Sequence, residues 1–482
     1  MKKTKIVCTL GPSSHSPETI EKMMKAGMDV ARLNFSHGGH REHADRIRLI
    51  RQTAERLSLP VGILADIAGP KIRVGEIAGG SVELETGQDF ILTDRDVPGG
   101  ADEVSVSYPN LPRLVKKGDV ILLSDGSLEL EVISTSARKI RCRVTIGGTL
   151  GSRKGINLPT RSSGIPILTE KDRKDLLFIA RRGVDFIGLS FVRTGAEVEE
   201  VRRWLKRRRC STPLIAKIEK PEAVENIEEI IAAADGIMVA RGDLGVEIPF
   251  AEVPIIQKKV IFQAHRAGKP VITATQMMMS MVSSPRPTRA EVSDVSGAIF
   301  DGTDAVMLSE ETAAGKYPVR AVEAMAAIAR EVEADPVYRK WIRDWIGRML
   351  EEEDRLPVEE SVARSACFLA AGIGADRIIV HTASGSAARR VAKYRPAAPV
   401  LAVTSSEETY RSLSLTWGAE AVMIPPPKNF EEMISRAAAA GMESGRLKKG
   451  DRAVVTAGVP INHPGHTNVI RVLTVGQPDK TF

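Results

Sequence analysis

The sequence has few cysteines, few aromatic residues and no long hydrophobic run. Its four cysteines lack the Cys-x-x-Cys spacing of a zinc site, so we expect neither a zinc site nor a disulfide framework. No apolar run approaches the ~18 residues of a membrane span, and the first residues lead into a predicted strand without a signal-peptide core. These absences predict a cytoplasmic protein with no membrane partner.

The chain is basic, since its 482 residues carry a net charge of +7 and its isoelectric point is about 9.1. Such a balance fits either a nucleic-acid-binding protein or an enzyme with anionic substrates. Aromatic residues make up 4% of the chain. The densest basic run, residues 202–209, lies on a predicted amphipathic helix whose charged face is expected to be solvated. We therefore expect no nucleic-acid partner.

Eight short apolar runs alternate with amphipathic segments in the first two thirds of the chain. This alternation predicts an α/β fold, a parallel (β/α)8 barrel formed by residues 1–69 and 167–340. Polar residues follow the predicted strands at the end where such barrels have their active sites. The predicted strands are Lys5–Leu10, Asp29–Phe35, Val61–Ile67, Phe186–Phe191, Leu214–Glu219, Gly236–Ala240, Val271–Gln276 and Ala305–Glu310.

Two further regions have other patterns. Residues 70–166 contain alternating apolar and polar runs separated by Asp-Gly and Gly-Gly turns, which predict an inserted all-β domain placed as a lid over the active-site face. After a long predicted helix, residues 335–356 are interpreted as a linker with helical turns. Residues 341–482 include a second alternation of helix and strand, which predicts an open C-terminal α/β domain.

A charged cluster follows two of the barrel strands. Lys217 and Glu219 lie two residues apart at the end of an apolar run, so their side chains share one face of the strand. Asp243 follows the next strand. A cation and two carboxylates meeting there suit a hard divalent metal beside an anionic substrate. A purely structural ion pair between Lys217 and Glu219 is the alternative.

Six motifs stand in order along the chain: KIVCTLGPS (5–13), ARLNFSHG (31–38), LIAKIE (214–219), ARGDLG (240–245), TQM (275–277) and PRPTRAE (285–291). Together they resemble the pyruvate kinase family, and the resemblance covers essentially the whole chain. It implies a barrel domain, an inserted lid and a C-terminal regulatory domain. The implied reaction transfers the phosphoryl group of phosphoenolpyruvate to ADP and gives pyruvate and ATP. A homotetramer is also implied.

The resemblance assigns roles to individual residues. Glu219 and Asp243 are expected to hold Mg²⁺ or Mn²⁺, and Lys217 to stabilise both the transferring phosphoryl group and the enolate. Thr275 is expected on the face where the enolate carbon takes its proton. The expected catalytic residues are Lys217, Thr275, Arg32 and Arg73; the substrate-binding residues are Arg32, Lys217, Ser190, Thr275 and the segment Arg241, Gly242 and Asp243; the nucleotide-binding residues are Arg73, Lys154, Asn34 and His37.

The chain departs from the family at the monovalent-cation site. Asn34, Ser36 and Asp66 match the residues that hold potassium in most members, but Ile67 replaces a threonine ligand. Lys71 stands where potassium-dependent members carry glutamate. An ammonium has the same sign as potassium and would repel it, so we expect Lys71 to replace K⁺ and the enzyme not to require it. A Lys71 side chain that points into solvent is the alternative.

A loop in the C-terminal domain resembles the effector loop of the family. It contains Thr382, Ser384, Gly385 and Ser386, and it follows a predicted strand and opens a predicted helix. Hydroxyls and backbone N–H groups at a helix amino terminus favour phosphate. A phosphorylated effector is therefore expected, with a helix cap that binds no ligand as the alternative.

Other interpretations follow from the same residues. His37, His40 and His43 have a spacing like that of metal ligands, but a histidine metal site is not expected because no carboxylate pattern accompanies them. Residues 277–281 are rich in methionine and are expected to be packing residues. A magnesium-dependent aldolase or lyase would share Glu219 and Asp243 but would not need Arg73 and Lys154 in a lid. A basic nucleic-acid-binding protein and a catalytically inactive regulator are the remaining alternatives.

Overall fold

A closed barrel of eight parallel strands forms the centre of the molecule. The computed structural model describes residues 2–158, 164–351, 355–461 and 466–477. Each barrel strand pairs with its neighbours in chain order and the last pairs with the first, so the predicted (β/α)8 barrel is confirmed. Barrel strands 1 to 8 are Lys5–Thr9, Val30–Asn34, Gly62–Asp66, Phe186–Leu189, Leu214–Ile218, Gly236–Ala240, Val271–Ala274 and Ala305–Leu308.

Apolar side chains fill the barrel, which is why these short runs form strands rather than surface loops. Strands 3, 5, 6, 7 and 8 are buried at every position, as expected for strands covered on both faces. A separate buried cluster, distinct from the core beneath the helices, is formed by side chains from successive strands: Val7, Val30, Leu64, Ile215, Met238, Ile272, Ala305 and Met307.

The helices of the barrel domain surround these strands. Several begin at residues that favour helix starts, such as Thr169 and Thr288, whose hydroxyls accept backbone N–H bonds in capping boxes. The α-helices are Pro17–Ala26, His40–Arg56, Glu170–Ala180, Gly195–Lys206, Pro221–Glu225, Ile227–Ala233, Arg241–Glu247, Val253–Arg266, Arg289–Phe300, Glu310–Ala313, Pro318–Ala334 and Pro336–Glu351; the 3₁₀ turns are Pro12–Ser14, Phe250–Glu252 and Met279–Val282.

The inserted lid is an all-strand region with one short helix, Leu111–Leu114, and its own buried core. Seven of its strands form one sheet and two form a second. The lid leaves the barrel after strand 3 and returns before helix Glu170–Ala180; residues 159–163, within its predicted range of 70–166, lie outside the described part. Its strands are Ile72–Arg73, Ser81–Leu84, Asp89–Thr93, Glu103–Ser105, Val120–Leu123, Leu128–Thr135, Lys139–Ile146, Gly148–Gly151 and Gly155–Asn157.

The C-terminal domain is an open five-stranded sheet with helices, as predicted. Four of its strands are parallel, and the last pairs antiparallel at one edge. Its strands are Arg377–His381, Val400–Thr404, Ala419–Met423, Arg452–Ala457 and Val469–Thr474; its helices are Val358–Ile373, Ser386–Lys393, Glu407–Ser412 and Phe430–Glu443, with a 3₁₀ turn at Leu413–Leu415.

One prediction about the connection between the domains is wrong. Residues 335–356 were expected to form a linker with helical turns, but Pro336–Glu351 is a continuous 16-residue helix. The helix packs on the barrel because Tyr338, Ile342, Trp345 and Ile346 are buried on one face, with the spacing of an amphipathic helix.

The described helices include none that is both long enough and apolar enough to cross a membrane.

Candidate active site

Lys217 lies at the centre of a buried polar cluster at the carboxyl end of barrel strand 5. Its Nζ is 2.8 Å from Oε1 of Glu219 and 3.4 Å from Oδ1 of Asp66. It also donates a hydrogen bond of 2.7 Å to Oγ of Ser190. Lys217 is 8% exposed and Glu219 is 1% exposed. The ammonium is therefore fixed in position by neighbours from three strands.

Asp66 joins Lys217 to Arg32. Nε of Arg32 donates to Oδ2 of Asp66 at 2.8 Å, and its Nη2 lies 2.6 Å from the same oxygen. Nη1 of Arg32 donates to Oγ1 of Thr9 at 2.9 Å. Two cations and two carboxylates thus share one site, which is how a folded protein offsets the cost of burying charge.

The environment of the cluster shifts its pKa values in different directions. Burial would raise the pKa of Asp66, but the charges of Lys217 and Arg32 outweigh it and the pKa is lowered. Burial would lower the pKa of Lys217, but Asp66 and Glu219 outweigh it and the pKa is raised. Burial raises the pKa of Glu219; Lys217 opposes this and Asp243 adds to it. Asp243 is therefore within electrostatic reach of Glu219.

Asp243 lies beside the hinge of the lid. It is in the first turn of helix Arg241–Glu247, and its Oδ1 is 3.7 Å from Nζ of Lys71. The same ammonium is 3.4 Å from Oδ1 of Asp125 in the lid. Lys71 therefore has two carboxylate partners, one in the barrel and one in the lid. Asn34, Ser36 and Asp66 are not among its ion-pair or hydrogen-bond partners in the described part of the chain.

Thr275 follows barrel strand 7 with a φ angle of +69°, a strained conformation for a β-branched residue. Its Oγ1 accepts the N–H of Gly242 at 2.7 Å and donates to the carbonyl of Ala274 at 2.6 Å. The Arg241 side chain contacts the same residue, because its Nη2 donates to the carbonyl of Thr275 at 2.9 Å while its Nη1 pairs with Asp294 at 2.6 Å. The threonine is thus tied to the helix start that bears Asp243.

The other predicted site residues lie around this centre. Nη1 of Arg73 donates to the carbonyl of Arg153 in the lid at 3.0 Å, and Lys154 is exposed. Oδ1 of Asn34 accepts the N–H of Ser36 at 3.0 Å, and the side chain of His37 is exposed. Contacts of these four residues with a ligand remain predictions.

Hard oxygen donors fit a divalent cation here. Magnesium is commonly held by one or two carboxylates together with water and substrate oxygens. Glu219 and Asp243 supply two carboxylates, and the Asp243 side chain is 32% exposed. Among the described residues no group of three or more His, Cys, Asp or Glu side chains is arranged for a metal. His37, His40 and His43 are among these described residues.

Known proteins resemble the chain along its whole length. The family model "Pyruvate kinase, barrel domain" matches residues 1–322, and "Pyruvate kinase, alpha/beta domain" matches residues 360–473. The chain belongs to the pyruvate kinase family. The pyruvate kinases of Staphylococcus aureus strains MRSA252 and USA300 are 46% and 45% identical to it over 478 residues, or 99% of this chain and 81% of theirs. A crystal structure of a pyruvate kinase from Cryptosporidium parvum has a TM-score of 0.92 and 38% identity, covering 98% of this chain and 96% of that one.

The predicted effector loop of this pyruvate kinase borders a large cavity. Gly385, with a φ angle of +80°, caps helix Ser386–Lys393, and the Ser384 and Ser386 hydroxyls are 3.1 Å apart. Thr382 is 3% exposed. The cavity, of about 490 Å³, lies between this loop and the amino-terminal ends of the barrel strands.

The sequence analysis missed several residues that organise the pyruvate kinase site. Thr9 holds Arg32, and Asp125, which was interpreted only as part of a turn, pairs with Lys71. Asn157, Lys220 and Glu247 form a buried cluster between lid and barrel. The sequence contained one signal of this cluster, because Glu247 follows Asp243 by four residues and so lies on the same side of a helix.

Proposed function

We propose that this pyruvate kinase transfers the phosphoryl group of phosphoenolpyruvate to ADP at the carboxyl end of its barrel, giving pyruvate and ATP. The observation that carries this proposal is the buried Lys217 ammonium, held by Asp66, Glu219 and Ser190. Phosphoryl transfer depends on charge neutralisation and positioning more than on covalent chemistry. A fixed cation beside two carboxylates supplies both requirements.

Glu219 and Asp243 are the proposed ligands of Mg²⁺ or Mn²⁺. Their oxygens suit a hard cation, and their mutual repulsion would be relieved by one. When bound, the cation supplies positive charge to the substrate oxygens. Lys217 keeps its charge at any working pH because Asp66 and Glu219 raise its pKa. It is therefore available to stabilise the enolate as charge develops.

Arg32 and Arg73 are proposed to bind the phosphoryl group, since a guanidinium suits bidentate contact with phosphate. Asp66 and Thr9 fix the orientation of Arg32. The first turn of helix Arg241–Glu247 offers backbone N–H groups for the substrate carboxylate.

Thr275 is proposed to serve the protonation step. It either donates the proton to the enolate carbon or orients the water that donates it. Its hydroxyl already bonds Gly242 and the carbonyl of Ala274, so its position is fixed before substrate arrives.

The lid is proposed to bind the nucleotide. Lys154 is exposed on the lid, where its ammonium is free to approach the phosphates of ADP, together with Arg73, Asn34 and His37. A lid that excludes water while it completes the site is a common device of phosphotransferases.

Lys71 is proposed to take the place of potassium. Its Nζ lies between Asp125 and Asp243, which supports a fixed internal charge at the edge of the metal site. The side chains of Asn34, Ser36 and Asp66 retain oxygen atoms that could bind potassium, whereas the Ile67 side chain has no oxygen. Activity without K⁺ follows from this arrangement.

A phosphorylated metabolite is proposed to bind at Thr382, Ser384, Gly385 and Ser386. The adjoining cavity supports this, because Arg389 lines it and has no carboxylate within ion-pair distance among the described residues. Burial lowers the pKa of Arg389, Asp235 opposes this and Arg390 adds to it; a bound anion would stabilise the charged guanidinium. A homotetramer and a cytoplasmic location are further proposals, made from the family and its place in glycolysis.

A lactate-dehydrogenase-coupled assay with phosphoenolpyruvate and ADP tests the proposal directly. Pyruvate formation that requires ADP and a divalent cation is the expected result. The absence of ATP and pyruvate formation from phosphoenolpyruvate and ADP would instead favour the aldolase or lyase class, which shares the carboxylates but not the nucleotide. Direct measurement of ATP distinguishes the two.

A further inference from the structure

One buried carboxylate joins the lid to the barrel. Oε1 of Glu247 accepts hydrogen bonds from Nδ2 of Asn157 at 2.8 Å and from Nζ of Lys220 at 2.6 Å. Asn157 ends the last described lid strand, Lys220 follows Glu219, and Glu247 ends the helix that carries Asp243. Asn157 and Glu247 are each 4% exposed, and Lys220 is 8% exposed. Three separate parts of the chain therefore meet on a single oxygen.

The cluster is too polar to be an ordinary packing contact. Oε2 of Glu247 and Oδ1 of Asn157 are both buried and have no hydrogen-bond partner in the described structure. Unpaired buried oxygens are costly, and hydrophobic side chains would join two surfaces at lower cost. Polar groups nevertheless fix a distance and a direction, which apolar contacts do not.

The lid also touches the other end of the same helix. Lys71, in the hinge, lies between Asp125 of the lid and Asp243. Near the Glu247 end of the helix, Gly126 of the lid turn lies against Val246, since a Cβ atom added to Gly126 would be 3.4 Å from the Val246 side chain. The two-turn helix Arg241–Glu247 is therefore held by the lid near its start and at its end.

We propose that Glu247 is a positioning residue, which through Asn157 fixes the lid relative to the helix that carries Asp243. Lys220 neutralises the Glu247 carboxylate and connects it to the residue next to Glu219. This cluster thus connects docking of the lid to the chain segments that carry both proposed metal-binding carboxylates. This inference rests on the proposed nucleotide role of the lid.

Asn157→Ala is the direct test, because it removes the lid contact and leaves the pair of Lys220 with Glu247 intact. The KM for ADP is expected to rise about fivefold, the order expected from losing one buried hydrogen bond. The KM for phosphoenolpyruvate should change by less than about twofold, because its proposed ligands lie mainly on the barrel. Asn110→Ala, an exposed asparagine of the same lid, is the matched control and should change neither constant.

Hydrogen exchange gives a readout independent of catalysis. Backbone amides of Ile72–Arg73 and Gly155–Asn157 should exchange faster in Asn157→Ala than in the wild type, while the core lid strand Leu128–Thr135 stays protected. A variant whose fold is merely weakened would lose protection throughout the lid. Unchanged exchange at the two hinge strands would overturn the inference.

A double-mutant cycle with Glu247→Ala completes the experiment. Asn157→Ala should change the KM for ADP by less than about twofold in the Glu247→Ala background, because the acceptor of the Asn157 hydrogen bond is already absent there. Lys154→Ala separates the two proposals. If it raises the KM for ADP while Asn157→Ala does not, the positioning role is wrong and the nucleotide role stands. If Lys154→Ala has no effect, the nucleotide role is wrong, and the exchange result alone decides the role of Glu247.

Discussion

The buried charges of the active site depend on one another at the level of single residues. Lys217 and Arg32 share Asp66, and Glu219 completes the pairing of Lys217. Removing Asp66 would leave the buried Arg32 without its carboxylate partner and Lys217 with Glu219 alone, which is strongly destabilising. Removing Lys217 also unpairs Glu219, but that carboxylate retains the N–H of Phe191 at 2.7 Å. Substitution of Lys217 therefore separates catalysis from folding better than any other change in the cluster.

Lys217→Met should fold and should lower kcat by several orders of magnitude, because it removes the charge that we propose stabilises the enolate while nearly preserving volume. A coupled assay at saturating Mg²⁺ measures kcat, and circular dichroism checks the fold. Lys449→Met, at an exposed lysine of the C-terminal domain, should leave kcat unchanged. More than a tenth of wild-type turnover in Lys217→Met would contradict the role of Lys217.

Lys71 gives a second prediction for a single residue. The wild type should be fully active in sodium or Tris buffer, because the Lys71 ammonium lies beside Asp243 at the edge of the proposed metal site. Lys71→Glu should become dependent on potassium, with Ile67→Thr added if a ligand oxygen is also needed. Initial rates at constant ionic strength, with and without KCl, measure this effect. A tenfold or greater stimulation of the wild type by potassium would refute the prediction.

At the scale of elements, the sequence predicted the strands well and long-range contacts poorly. All eight barrel strands were predicted within a few residues, because short buried strands between helices have a clear pattern. Helix Pro336–Glu351 was missed although Tyr338, Ile342 and Trp345 have helical spacing. The bond between Asn157 and Glu247 joins residues 90 positions apart, and no local pattern encodes such a pair.

The loop and helix of the proposed effector site give a prediction at the same scale. A phosphorylated metabolite should lower the apparent KM for phosphoenolpyruvate, and Arg389→Met should weaken that effect at least about tenfold because it removes a cation that lines the cavity. Kinetics with fructose 1,6-bisphosphate, ribose 5-phosphate, AMP and 3-phosphoglycerate provide the measurement. Arg452→Met, at an exposed arginine of the same domain, is the control. No response to any of these compounds would count against the site.

At the scale of the whole molecule, the barrel and the C-terminal domain share a buried polar interface. Nζ of Lys5 donates to the carbonyl of Ala419 at 2.8 Å, and Arg395 pairs with Asp304 at 3.0 Å. The imidazole of His265 is 3% exposed and bonds the carbonyl of Lys393. Polar contacts of this kind fix the two domains relative to each other, and the cavity beside the proposed effector loop lies at the same junction.

This interface should make the stability of the molecule sensitive to acid. Burial lowers the pKa of the His265 imidazole well below its usual 6.5, and the positive charges of Arg395 and Lys393 lower it further. Asp304 pairs with Arg395, which lies between its carboxylate and the imidazole. The folded state keeps the imidazole neutral, whereas the unfolded chain takes up a proton below about pH 6.5. Stability should therefore fall as the pH drops below that value, by at most about 1.4 kcal/mol per pH unit for this group.

His265→Gln isolates this contribution, because the amide can still donate to the carbonyl of Lys393 but does not titrate. The variant should be less stable at neutral pH, yet its melting temperature should fall less than that of the wild type between about pH 7.5 and 5.5. His43 and His381, whose pKa values are also lowered by burial, leave part of the dependence in place. His15→Gln, at an exposed histidine, should retain the full wild-type dependence. Equal falls in melting temperature for the wild type and His265→Gln would show that the interface between the domains does not sense acid through this imidazole.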